Sequence, residues 1–290
     1  MKTLRITGVP EHFNLPWKKV ISRQPFASKG IELKWTEESR GSGQMNKAIR
    51  EGETDIALIL TESFLQDFEN GSPAKMMGFH VSSPLIWGIH VHGNSTINAL
   101  DQIDSPSFLI SRNGSGSQLM SYVLAKRENW DSENLTFRIV GNLPGALQVM
   151  SPEKPEMFLW EKYTTKPWVD RREMKRIGEV LSPWPCFAMV VSNTALEEFG
   201  EIIFELRQLV YQESSKLQDS ESTAEEIHKL YDLKLEDVKS WLSQTQWAKE
   251  AIISKKELNQ AMEEMIQLGI LKNKLRLEDF LTMDHLTLTL

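Results

Sequence analysis

The sequence predicts an α/β protein built as two lobes with a helical C-terminal third. Three observations carry that expectation. Short apolar runs alternate with helix-spaced segments through residues 1–60, and the alternation restarts at residue 85 and runs to residue 181. Each of these stretches holds a glycine- and serine-rich turn between a strand-like run and a helix-like one. Beyond residue 193 the apolar spacing is helical to the end.

Residues 4–9 read as the first strand, and Pro10, Asn14 and Pro16 mark a loop before a helix that starts at Trp17. Residues 30–35 alternate as a strand should, residues 43–50 place Met45, Ala48 and Ile49 at helical spacing, and residues 55–60, apolar throughout after Asp55, suit a buried parallel strand. In the second stretch, strands are expected at 85–91, 108–110, 135–140, 157–160 and 177–181, with helices at 97–103, 117–126 and 144–150. A further strand at 187–191 precedes helices at 194–217, 224–230, 235–247 and 254–268. Ser254 and Glu257 fit a capping box, and 218–223 is a polar loop. The late helices are expected to return to lobe one, whose own chain is too short to cover both faces of its sheet.

With 290 residues, 40% of them apolar and 25% charged, the chain holds enough material for a packed core. A formal net charge of -7 argues against a broad nucleic-acid surface, which needs a basic patch. The single cysteine, Cys186, lies in an apolar stretch and reads as a buried thiol, and one cysteine supports neither an internal disulfide nor a metal cluster. No window approaches ~18 uninterrupted apolar residues, so no membrane insertion is expected. The opening Met-Lys-Thr-Leu-Arg-Ile-Thr-Gly, read as the native start, carries no secretory signal and places the protein in the cytoplasm.

The strongest chemical signal is Ser111-Arg-Asn-Gly-Ser-Gly-Ser117. A helix start offers backbone N–H groups without internal partners, so this turn is suited to an anion. Ser111, Gly114, Ser115, Gly116 and Ser117 are the candidate contacts, and Arg112 is placed to pair with a carboxylate or phosphate. The turn is neither a Walker loop nor a dinucleotide fingerprint. Ser39-Arg-Gly-Ser-Gly-Gln44 is its counterpart in lobe one, with Ser42, Gly43 and Gln44 as candidates at the carboxyl end of a sheet. Thr61 and Glu62 end the next strand on the same edge, with a helix N-cap as the alternative reading.

His12 and Trp17 could wall a planar ligand, although a lone loop histidine is more often structural or solvated. Trp160, Glu161 and Thr165 put an aromatic face beside hydrogen-bonding groups; the alternative is a tryptophan anchor with Glu161 in a structural ion pair. Trp184, between Pro183 and Pro185, is expected at a stiff crossing between the lobes. His90 and His92 share a strand face, but no carboxylate or cysteine completes a metal set at readable spacing. No nucleophile elbow and no carboxylate couple stands out, so neither catalytic residues nor a cofactor are assigned.

Gly41-Ser-Gly-Gln-Met45, Gly52-Glu-Thr-Asp-Ile-Ala57, Ile110 to Ser117, Trp160-Glu-Lys-Tyr-Thr-Thr-Lys-Pro167 and Ser182-Pro-Trp-Pro-Cys-Phe187 together resemble the type II periplasmic-binding-protein fold. Within it they are similar to the branch of alkanesulfonate and thiamine-precursor binding proteins, and to an intracellular subgroup typified by a Candida protein. The resemblance covers residues 1–195. It implies two α/β lobes joined by two crossing strands that act as a hinge, with the helical segment packed on lobe one: residues 1–83, then 84–184 as lobe two, then 185–290 returning. It implies a small anionic or zwitterionic, even heteroaromatic, ligand held between the lobes. Ser42, Gly43, Gln44, Ser111, Gly114, Ser115, Gly116, Ser117, Trp160, Glu161 and Thr165 are the contacts carried over by motif.

The alternative is a cytoplasmic enzyme of thiamine- or menaquinone-type cofactor biosynthesis on the same fold. The fungal pyrimidine synthase of this architecture carries a cysteine-rich iron motif that a chain with Cys186 alone lacks. A third reading is a ligand sensor that uses its late helices. A small-molecule ligand is thus the expected partner. A monomer is expected, and a transporter partner is compatible with the fold but unsupported by any residue.

Overall fold

The computed structural model describes residues 1–290. It is an α/β protein of two compact units. Unit one comprises residues 1–83 and 184–290, and unit two comprises residues 84–183.

The chain begins with β1 (Lys2–Gly8), α1 (Leu15–Ser22), β2 (Ile31–Glu37), α2 (Ser42–Arg50), β3 (Ile56–Leu60), α3 (Thr61–Glu69) and β4 (Ala74–Val81). Unit two follows with β5 (Ile86–His92), β6 (Ser107–Ile110), α4 (Gly116–Glu128), β7 (Thr136–Ile139), α5 (Leu143–Val149), β8 (Met157–Glu161), α6 (Lys166–Asp170) and β9 (Met174–Leu181). Unit one is completed by β10 (Phe187–Ser192), α7 (Asn193–Phe199), α8 (Glu201–Asp219), α9 (Thr223–Tyr231), α10 (Leu235–Gln244), β11 (Ile252–Ser254), α11 (Lys255–Gln267), α12 (Leu277–Phe280) and β12 (Thr287–Thr289).

The two main sheets share one topology. In unit one the order is β2-β1-β3-β10-β4, with β1 parallel to β2 and β3, and β10 antiparallel to both neighbours. In unit two the order is β7-β6-β8-β5-β9, with β6 parallel to β7 and β8, and β5 antiparallel to β8 and β9. In each, the strand out of sequential order takes the fourth place. Side chains on both faces of that strand must be covered, which explains why every residue of β10 is apolar or small and buried. The strand–turn–helix connections put the starts of α2 and α3 at the carboxyl edge of the first sheet and those of α4, α5 and α6 at the carboxyl edge of the second, where open α/β sheets bind ligands.

The late helices belong to unit one, and ion pairs tie two of them to α1 and the residue that follows it: Lys19 to Glu226 at 2.7 Å and Arg23 to the buried Glu213 at 2.9 Å. The long helix expected at 194–217 is broken, because Gly200 takes φ 49° and ψ -125° and separates α7 from α8. The helix expected to run to 247 stops at Gln244. The next residues lie along the edge of β4 instead, where Ala248 N donates to His80 O, Ser82 N donates to Gln246 O, and Trp247 is buried with its indole N–H on Phe13 O. Residues 97–103 form only a 3₁₀ turn, Leu100–Gln102. Ser254 Oγ accepts from Glu257 N at the start of α11, and Cys186 is fully buried. No helix is long and apolar enough to cross a membrane.

Candidate ligand-binding site

In unit one, the backbone of Gly41 takes φ 78° and ψ -168° to swing from β2 into α2. Gly41 O accepts from Gln44 N and Met45 N, and no side chain caps the helix. The amides of Ser42 and Gly43, the first two of the helix, therefore have no intrahelical acceptor. The Ser42 hydroxyl is spent inward, accepting from Leu60 N at 3.0 Å. One turn later, Asn46 Nδ2 donates to Ser63 O at 2.9 Å and reaches Ser63 Oγ at 3.1 Å. These two clamps hold the start of α2 beside the start of α3. Sequence reading missed Asn46; its signal was a polar residue one helical turn beyond Ser42, on the buried face.

Glu62 sits between the clamped residues Leu60 and Ser63 and is buried. Its Oε2 accepts from the Trp184 indole N–H at 2.7 Å. Its Oε1 is shielded from solvent and has no donor. Burial pushes the carboxyl up to about 7, only partly opposed by its own backbone N–H and by Trp184. Thr61 is fully buried and donates to Pro185 O at 2.6 Å, which fixes the segment carrying Trp184 against α3.

His12 and Trp17 are interior. The His12 ring stacks on Phe13 at 5.2 Å and meets Trp241 edge-on at 4.2 Å, so helix α10 covers it. Burial drives its imidazole down to about 3, leaving it neutral. Trp17 is fully buried near His80, at 6.5 Å between ring centres.

In unit two, the turn after β6 is bound together by its own hydroxyls. Ser117 Oγ accepts from Ser111 N at 3.0 Å and lies 3.0 Å from Ser115 Oγ. Ser115 caps α4 by accepting from Gln118 N at 3.3 Å, and Gln118 Oε1 accepts from Gly114 N at 2.7 Å. The amides of Gly116 and Ser117, first and second in α4, have no intrahelical acceptor. Gly114 is exposed, while Ser111, Arg112 and Gly116 are half-buried; Arg112 Nη1 donates to Asn113 O.

Trp160 stacks on Phe158 at 5.2 Å and packs on the core of unit two. Glu161, the last residue of β8, uses Oε2 to accept from Tyr163 N at 3.0 Å and Thr164 N at 2.6 Å. Burial raises its carboxyl above the usual range, opposed by those two amides. Thr165 is fully buried and bonded to His90 Nε2 at 2.9 Å, while His90 Nδ1 meets Phe158 O at 3.1 Å. Both nitrogens of His90 are thus committed within the core, and no group of three or more metal-ligating side chains stands together in the structure.

A search of curated proteins returned no match. Among solved structures, the Candida albicans CA3427 gene product, described as defining a family with the generic periplasmic binding protein fold, aligns with a TM-score of 0.86 at 23% identity over 100% of this chain and 98% of that one. The chain has the periplasmic-binding-protein fold. Residues 87–180 match the family model of the Ca3427-like periplasmic binding proteins, which spans β5 to β9 and includes the serine-rich turn. Other structures share the fold at lower identity. The alkanesulfonate-binding protein SsuA from Xanthomonas axonopodis pv. citri, bound to MOPS, aligns at TM-score 0.75 and 12% identity over 100% of this chain and 99% of that one. PhnD1 from Prochlorococcus marinus, in complex with methylphosphonate, aligns at TM-score 0.61 and 12% identity over 93% and 99%.

Proposed function

We propose that this protein binds a small organic anion at helix-start turns on its sheet edges, without transforming it. One observation carries the reading: α2 and α4 each leave their first two amides without an acceptor inside the helix, at the carboxyl edge of a sheet. Aligned backbone dipoles make such a helix start attractive to negative charge. Two proteins that share the fold are described with a sulfonate or phosphonate bound, which supports a ligand of that class. Ser42, Gly43 and Gln44 would serve in unit one. Ser111, Arg112 and Gly114 to Ser117 would serve in unit two.

The test is Gly116→Pro. Proline is tolerated at the first position of a helix, and Ser115 already has the extended backbone that a residue before proline prefers. The variant removes one amide and little else. Calorimetry with alkanesulfonates, alkylphosphonates and carboxylates should find a ligand for the native protein, weakened about tenfold in Gly116→Pro as expected for one charge-assisted bond. The ligand should be recovered unchanged after long incubation. Equal binding by the variant would overturn the reading, and so would conversion of the ligand.

A further inference from the structure

The two units offer an anion unequal surroundings, and the difference lies in Glu62. It stands at the start of α3, one residue from Ser63, which Asn46 ties to α2, and two from Leu60, which Ser42 ties to α2. The start of α2, with the amides of Ser42 and Gly43, is therefore clamped beside the segment that carries this carboxyl. A plain anion drawn to those amides would meet Glu62, whose ionised form repels it. A plain cation would meet the positive end of α2. Neither satisfies the group of polar atoms as it stands, because Glu62 Oε1 is buried without a donor while the α2 amides lack acceptors.

We infer that the ligand of unit one is an anion that also carries an amine, its acidic oxygens on the α2 amides and its N–H on Glu62 Oε1. Glu62 is then the specificity residue, and Trp184 positions it by holding Oε2. Shielding from water makes the acceptor stronger toward an ammonium that reaches it and costlier to leave unpaired. A ligand lacking the amine leaves that penalty in place, so discrimination comes as much from rejecting the plain anion as from binding the amino one.

This inference rests on the anion-binding reading above, and the experiment separates the two. Binding is measured by calorimetry at pH 7.5 for matched pairs: taurine against ethanesulfonate, 2-aminoethylphosphonate against ethylphosphonate, and β-alanine against propionate. At least one amino member should bind about tenfold or more tighter than its partner, as a charge-assisted bond to a buried carboxylate implies. In Glu62→Gln that preference should shrink to within about threefold while the plain anion keeps or gains affinity. If the plain anion binds native protein as well as the amino one, the assignment of Glu62 is overturned and anion binding stands. A preference that survives intact in Glu62→Gln overturns it equally. If no member of any pair binds, the anion-binding reading fails and this one with it. The native comparison needs no variant, so a poorly folding Glu62→Gln does not shield the inference.

Discussion

Glu62 and Glu161 stand at the carboxyl end of the third strand in two sheets of the same topology, Glu161 as the last residue of β8 and Glu62 two residues past β3, and each is buried. Their surroundings differ. Glu161 spends one oxygen on two backbone amides of its own turn. Glu62 has one indole donor, and its other oxygen has none. Burial raises both carboxyls, but only at Glu161 do paired amides of the adjoining turn work against it. The same side chain at the same end of the third strand thus closes a turn in one unit and holds surplus acceptor capacity in the other. A buried polar group with unmet capacity costs stability, and a fold keeps it only where something else repays the cost.

The largest consequence is at Glu161. Glu161→Ala should leave the amides of Tyr163 and Thr164 without their acceptor, at a cost of about 3 kcal/mol for the two lost hydrogen bonds. Hydrogen exchange in urea, followed on peptides from residues 84–183, should show unit two opening at lower denaturant. A loss of ligand affinity with no loss of protection in unit two would make Glu161 a contact residue instead and erase the contrast.

Glu62→Gln should act in the opposite direction. The folded carboxyl titrates at about 7 and an unfolded one at 4.5, so between these values the folded state holds the proton the unfolded state has lost. Stability of the native protein therefore falls as pH rises through this window, and by pH 8 the penalty is fully present. Gln does not titrate, so the variant should be more stable than the native protein at pH 8 by up to about 3 kcal/mol, and close to it at pH 4.5. Melting curves without ligand at the two pH values check this. A variant less stable at pH 8 would mean that the carboxylate has a donor, and the surplus would vanish.

Trp184→Phe sharpens the same point more gently. It deletes the indole donor to Glu62 while keeping most of the ring, and should cost about 1–2 kcal/mol, more at pH 8 than at pH 5 because the bond favours the ionised form. Combined with Glu62→Gln, the pH dependence of that cost should disappear.

The sequence disclosed the parts of this fold that have a local signature. Alternation revealed β2, the unbroken apolar run that follows Asp55 revealed β3, and the two glycine-serine turns marked the helix starts that the structure places at the sheet edges. Thr61 to Ser63 read as a strand end or a helix N-cap, and they start α3, while residues 64–81 were not legible. Strand β4 reads Ala-Lys-Met-Met-Gly-Phe-His-Val, a poor strand by composition, and it is held by β10 and by the 245–248 segment, both distant in the chain. The break at Gly200 was also hidden, because a glycine inside a helical pattern is compatible with continuation. At the site, residue type was legible but commitment was not. Nothing in Trp-Glu-Lys-Tyr-Thr-Thr says that Glu161 binds its own turn, and nothing in Leu-Thr-Glu-Ser says that Glu62 is half-satisfied. Both facts depend on which donors the rest of the fold delivers.

The smallest prediction compares the serines of the two turns. Ser42 uses its hydroxyl to fix another strand end, Leu60 N, while Ser115 uses its own to cap its own helix at Gln118 N. Ser115→Ala should cost about 1 kcal/mol, the usual value of a lost N-cap, and should fray α4 alone. Ser42→Ala should cost a similar amount, but by a different route: Leu60 N is left unpaired and the start of α2 is released from the segment that carries Glu62. If Glu62 selects an amino ligand, Ser42→Ala should then narrow the affinity gap between taurine and ethanesulfonate by a few-fold, and Ser115→Ala should leave that gap unchanged. Parallel calorimetry on the two variants decides the matter, since two variants of nearly equal stability should differ in selectivity. Equal selectivity in both would mean that the clamp between α2 and β3 is structural only, and that the two turns differ less in purpose than in wiring.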